Sequence, residues 1–157
     1  MNVNFKKLAK SIAIPLLIGA VAGFLTKSGM DTFQTLNQPP LTPPPIVFPI
    51  VWTILYALMG ISFYLVSTNS PSPEEFAQAR ATYLVQFVLN FLWPFFFFNF
   101  GWYLFSFFWL IALWFTVLIM IKQFADVSKA AAWLNVPYLI WLTFAGYLNL
   151  GVWWLNR

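Results

Sequence analysis

Apolar residues in this chain come in long unbroken runs, and the charged residues are gathered between them. No Asp, Glu, Lys or Arg occurs between Asp31 and Glu74, between Arg80 and Lys122, or between Lys129 and Arg157. A helix needs about 20 apolar residues to cross a hydrocarbon layer of about 30 Å. The pattern predicts an all-α membrane protein: a bundle of five transmembrane helices at about residues 8–26, 46–66, 80–99, 102–122 and 129–154. The interval between Arg80 and Lys122 holds 41 uncharged residues, enough for two crossings and too many for one. Asn99-Phe100-Gly101 is the place for the hairpin between them, because Asn and Gly tolerate turn geometry. Residues 1–157 read as one integral membrane domain.

Local signals fit this layout. Ser72-Pro73-Glu74-Glu75 places a capping Ser before Pro at the first helical position, with Glu three residues after the cap. Ser128 is placed to cap the fifth helix. Pro15 lies inside the first span and should kink it. Trp102, Trp133, Trp153 and Trp154 fall near span ends, where indole rings anchor at the interface. With the N-terminus inside, that side holds Lys6, Lys7, Lys10, Arg80, Lys122 and Lys129, and the other only Lys27 and Arg157, which favours this orientation. The rival reading of the first segment is a signal peptide. Lys6, Lys7 and Lys10 would be its basic region and Ala20-Val21-Ala22 its cleavage site.

Composition confirms the class and removes several chemistries. Charged residues make up 8% of the chain, against roughly 25% in a soluble domain. The net charge of +4 is small and scattered, so nucleic acid is not an expected partner. There is no Cys and no His, which leaves no disulfide, no thiolate and no imidazole for acid–base work or metal ligation. No metal site and no cofactor are expected.

Two features remain to be explained. Asn37 to Pro45 packs five of the eleven prolines into nine residues, a stiff extended stretch with few backbone donors. It reads either as a lid over one end of the bundle or as a rigid spacer. Polar residues inside the spans are few: Gln86, Asn90 and Asn99 in the third, and Asn135, Thr143 and Asn149 in the fifth. Such groups face a bundle interior or a cavity. Gln86 and Asn90, four apart, share a helical face on which they either bond to other helices or meet a ligand. Most of the aromatic rings, 22% of the chain and including the run Phe95 to Phe98, are expected to face lipid.

Four blocks carry a resemblance. Pro39-Pro40-Leu41-Thr42-Pro43-Pro44 comes first, then Val51-Trp52-Thr53-Ile54-Leu55-Tyr56-Ala57-Leu58-Met59-Gly60. Gln86-Phe87-Val88-Leu89-Asn90-Phe91-Leu92-Trp93-Pro94 and the stretch from Val136-Pro137-Tyr138 through Trp141 to Asn149 follow. In this order they resemble the translocator protein family, also called the tryptophan-rich sensory protein or peripheral benzodiazepine receptor family. The resemblance covers nearly the whole chain.

The resemblance implies a ligand cavity at one end of a five-helix bundle, covered by the Pro-rich first loop. It implies porphyrins, sterols and synthetic benzodiazepine-site compounds as ligands. Carried over residue by residue, the pocket takes Trp52 and Tyr56 from the second helix, and Asn90 and Phe97 from the third. Trp141 and Ala145 come from the fifth, and Phe33 and Pro43 from the lid. Gln86 joins this set, since Gln86 or Asn90 can hydrogen-bond polar substituents of a porphyrin. Trp52 and Trp141 match the tryptophans linked to light-dependent porphyrin degradation, which makes them the candidate catalytic residues. The resemblance also implies a homodimer through the third helix, which here would rest on aromatic packing.

There are two departures. Many family members carry Trp where this chain has Leu41. The cholesterol motif of animal members needs a basic residue within about five positions of its Tyr, and the first after Tyr147 is Arg157, so cholesterol is not expected.

Three function classes follow: a receptor or sensor for porphyrin-like molecules, a porphyrin-degrading enzyme, and a transporter. Transport ranks last because the predicted spans contain no acidic residue for a coupling-ion site. Porphyrin enters all three as ligand or substrate, and the expected location is the bilayer of a bacterial cell membrane.

Overall fold

The computed structural model describes residues 2–157, and every element among them is helical. Helix α1 spans Phe5–Leu25, α2 Lys27–Phe33, α3 Val47–Asn69 and α4 Pro73–Pro94. A π-helical segment, Phe95–Asn99, continues α4; α5 spans Tyr103–Val127, α6 Lys129–Leu134 and α7 Val136–Leu155. Among the described residues five units are long and apolar enough to cross a membrane: α1, α3, α4 with its π segment, α5, and α6 with α7.

The caps form as the sequence predicts. Ser72 accepts from the Glu75 amide at 3.2 Å with Pro73 in the first turn, and Ser128 accepts from the Ala131 amide at 3.3 Å. The hairpin falls at Phe100–Trp102, where Gly101 takes a φ of +66°, a conformation Gly adopts at no steric cost. The fifth crossing is interrupted at Asn135, two residues before Pro137. Proline has no N–H to give the Trp133 carbonyl; the Asn135 amide turns to the Ala132 carbonyl at 3.1 Å, and the Asn135 side chain takes the Ala131 carbonyl at 3.1 Å. Helix α1 runs without interruption through Pro15.

The main core lies where α3, α4, α5, α6 and α7 converge, around Met59, Val66, Val117, Met120, Phe124 and Tyr138. Helix α1 is peripheral: only Pro15 and Ala22 are buried in it, and it packs mainly on α3. They meet closely at Gly60, where an added Cβ would lie 2.6 Å from the Ile12 Cα and against the Ser11 carbonyl. Ser11 is four residues before Pro15, so its carbonyl has no helical N–H to accept, and the absence of a side chain at Gly60 lets the two backbones meet.

Among the described residues ten aromatic side chains are exposed, sixteen half-buried and eight buried; Trp102, Trp133 and Trp154 at helix ends are exposed, while Trp153 is half-buried. In the run Phe95 to Phe98, Phe97 is buried and the other three are half-buried. The π segment causes this: its wider turn draws Phe97 and Phe98 inward against Phe33 and Trp93.

Candidate functional site

A cavity of about 400 Å³ opens at the end of the bundle where α1 and α4 finish and α3 begins. Each wall follows one helical face. Phe48, Trp52 and Tyr56 come from α3 at a spacing of four. Asn90, Trp93, Pro94, Phe97 and Phe98 follow the three-and-four rhythm along α4 and its π segment. Trp141, Ala145, Leu148 and Asn149 do the same on α7, and Leu16, Gly19, Ala20 and Gly23 on α1. Met30 and Phe33 of α2 close the end.

Aromatic faces dominate two sides. On one, Trp52 and Trp141 meet edge to face at 6.5 Å, and Phe48 lies 6.0 Å from Trp141. On the other, Trp93 stacks on Phe97 at 5.1 Å, with Phe33 5.7 Å from Phe97. Offset and edge-to-face contacts of this kind hold rings in fixed orientations.

Nearly all polar groups of the lining are already engaged. The Tyr56 hydroxyl donates to Asn90 Oδ1 and Asn90 Nδ2 to the Tyr138 hydroxyl, both at 2.6 Å. Tyr138 donates onward to Gln86 Oε1 at 2.8 Å. Asn149 accepts from the Trp93 indole at 3.1 Å and donates to the Tyr103 carbonyl at 2.7 Å. Thr26 and Thr53 each bond a carbonyl four residues back in the chain, at 2.7 Å. Trp141 stands apart: its ring is on the lining, while its Nε1 is buried without a hydrogen-bond partner among the described residues.

Seven of the nine sequence-predicted site residues meet on this lining: Phe33, Trp52, Tyr56, Asn90, Phe97, Trp141 and Ala145. Gln86 and Pro43 do not. Gln86 is fully buried, one turn deeper, and serves the hydrogen-bond chain that ties α3, α4 and α7 together. Asn90 reaches the cavity with one bond to protein at each end of its amide, accepting from Tyr56 and donating to Tyr138.

Pro43 lies outside because the lid has two parts. The lining comes from α2, which the charge pattern does not reveal, and from Phe48. The proline run is the strap that holds α2 down. Pro39 packs on Gly151, the Tyr147 hydroxyl donates to the Pro40 carbonyl at 2.7 Å, and Asn37 and Asn156 bond reciprocally at 3.0 and 2.8 Å. Leu41 turns away, 82% exposed, so it adds nothing to the lining.

The residues that sequence reasoning missed carried a signal for part of the way. Extending the helical period from Asn90 gives Trp93, Pro94, Phe97 and Phe98, and from Trp141 gives Leu148 and Asn149. Nothing in the sequence points to Met30 or to the small residues of α1. Ala20 and Ala22, one possible end of a cleavage site by sequence, are here part of the lining of a packed bundle.

Comparison with known proteins gives the family. The TspO/MBR family model matches residues 11–155. The chain is 34% identical to the tryptophan-rich protein TspO of Chlorobaculum tepidum, over 99% of each chain. It is 36% identical to the protein of the same name from Archaeoglobus fulgidus, over 98% of this chain and 99% of the other. It is 31% identical to the translocator protein of Bos taurus, over 92% of this chain and 86% of the other.

Proposed function

The chain belongs to the TspO/MBR family, and from that premise we propose that it is a membrane receptor of the sensor type that binds a flat, porphyrin-like molecule in the aromatic cavity. The observation that carries this reading is the two ring-lined walls of the cavity, Trp52 with Trp141 on one side and Trp93 with Phe97 on the other. Its volume, about 400 Å³, falls within the roughly 300–1,000 Å³ of small-molecule sites. Broad aromatic faces favour a planar apolar ligand. With the N-terminus inside, as the Lys and Arg distribution favours, the cavity lies toward the outer leaflet. Titration of the purified protein with protoporphyrin IX, haem and cholesterol, followed by Trp fluorescence, tests it. The expected result is saturable quenching by protoporphyrin; its absence for every ligand contradicts the reading.

A second reading is light- and oxygen-dependent breakdown of the bound porphyrin, favoured by the contact of Trp52 with Trp141 on one wall. Illumination of the complex with and without Trp52→Phe and Trp141→Phe tests it. Unchanged pigment loss in both variants rules it out.

A further inference from the structure

We infer that the cavity is loaded sideways from the bilayer, through a gap between α1 and α3, and not through the lid. This rests on the reading of the cavity as a ligand site and adds the class of ligand it selects: molecules already dissolved in the hydrocarbon layer.

Of the twenty-two residues that line the cavity, four are exposed: Ala20 and Gly23 on α1, and Pro49 and Thr53 on α3. The other eighteen, including every lining residue of α2, α4 and α7, are buried or half-buried. Exposure is therefore confined to one seam, where two antiparallel helices face each other.

The packing of these helices explains the seam. They touch backbone to backbone at Gly60. Two turns along α1, at Gly19, they are one ring apart: an added Cβ would lie 2.5 Å from Tyr56 Cδ2. One turn further, at Gly23, an added Cβ would find nothing within 4 Å. The pair is thus closed at Gly60, spaced by Tyr56, and open at Gly23. Flanking residues Leu17, Val21 and Phe24 on α1, with Ile50 and Ile54 on α3, are exposed and apolar, the surface a lipid tail would meet. A ligand crossing this seam passes only apolar atoms and two hydroxyl-bearing side chains whose donors are already satisfied, Thr26 and Thr53.

The opposite route is latched. Passing through the lid requires breaking the Asn37–Asn156 pair and the Tyr147–Pro40 bond and lifting Pro39 off Gly151.

The chain has no Cys, which makes a clean lock feasible. A Cβ at Gly151 would lie 2.7 Å from that of Pro39; a disulfide spans roughly 3.8 Å between Cβ atoms, so Pro39→Cys with Gly151→Cys needs the strap to give by about an ångström. The protein is placed in vesicles, protoporphyrin IX is added, and the rate of Trp quenching is followed with the disulfide formed and then reduced. Gly23→Phe and Thr53→Phe, which fill the seam from either helix, are measured alongside. The inference expects the same rate with the lid locked or released, and loading slowed by about tenfold or more in the seam variants. Slower loading on locking, or seam variants that load as fast as the parent, overturns it while leaving the cavity as the binding site. No saturable signal in the parent protein overturns the ligand-site reading itself and this inference with it.

Discussion

Asn90 Nδ2 donates to the Tyr138 hydroxyl at 2.6 Å, and that bond joins the third membrane crossing to the fifth directly beneath the cavity. Because Asn90 Oδ1 also accepts from Tyr56, one amide holds three helices together. Asn90→Ala would leave two buried hydroxyls short of a partner. The expected cost is about 1–3 kcal/mol, read as a lower midpoint of unfolding in detergent. Asn90→Asp keeps the acceptor for Tyr56 but has no N–H for the Tyr138 hydroxyl, whose proton goes to Gln86, and is expected to recover little of it.

Glycines on the α1–α3 seam should respond by position. Gly60→Ala and Gly19→Ala run into the Ile12 backbone and the Tyr56 ring respectively, and each should destabilise by about 1–3 kcal/mol. Gly23→Ala meets open space and should be neutral or slightly stabilising, since Ala is the better helix former by about 1 kcal/mol. Thermal unfolding of the three variants side by side gives the order.

The strap should loosen measurably when its latches are cut. Tyr147→Phe removes the bond to Pro40, and Asn156→Ala removes both bonds to Asn37. Each bond is worth about 0.5–1.5 kcal/mol, so amide exchange across residues 34–46 should quicken several-fold in each variant, with the rest of the bundle unchanged.

Leu41 is a non-glycine residue at φ 69°, the third residue of a turn in which the Thr42 amide bonds the Pro39 carbonyl at 3.4 Å. That position favours Gly or Asn, and a β-carbon there costs roughly 1 kcal/mol. As Leu41 is exposed and makes no part of the lining, Leu41→Gly should slow exchange in the strap without altering ligand affinity.

Much of the fold was legible because charge spacing reports the hydrocarbon layer directly. The hairpin at Gly101 and the caps at Ser72 and Ser128 were legible because they rest on local chemistry. What escaped depends on relations between distant parts. Helix α2 has seven residues, and its place is set by Phe33 packing against Phe97 and Phe98. The inward turn of Phe97 needs the π segment after Pro94, which no hydropathy pattern signals. Gln86 and Asn90 share a face, yet only the positions of Tyr56 and Tyr138 reveal that both serve the bundle. The openness at Gly23 is a property of how α1 leans on α3.

The most direct test of the account is an equilibrium titration with protoporphyrin IX of the parent protein and of Ala145→Trp, which places a large ring inside the cavity. The account predicts saturable quenching in the parent, and affinity at least about tenfold weaker in the variant at unchanged helical content. Non-saturable quenching in the parent, or the same binding curve for both proteins, would contradict it.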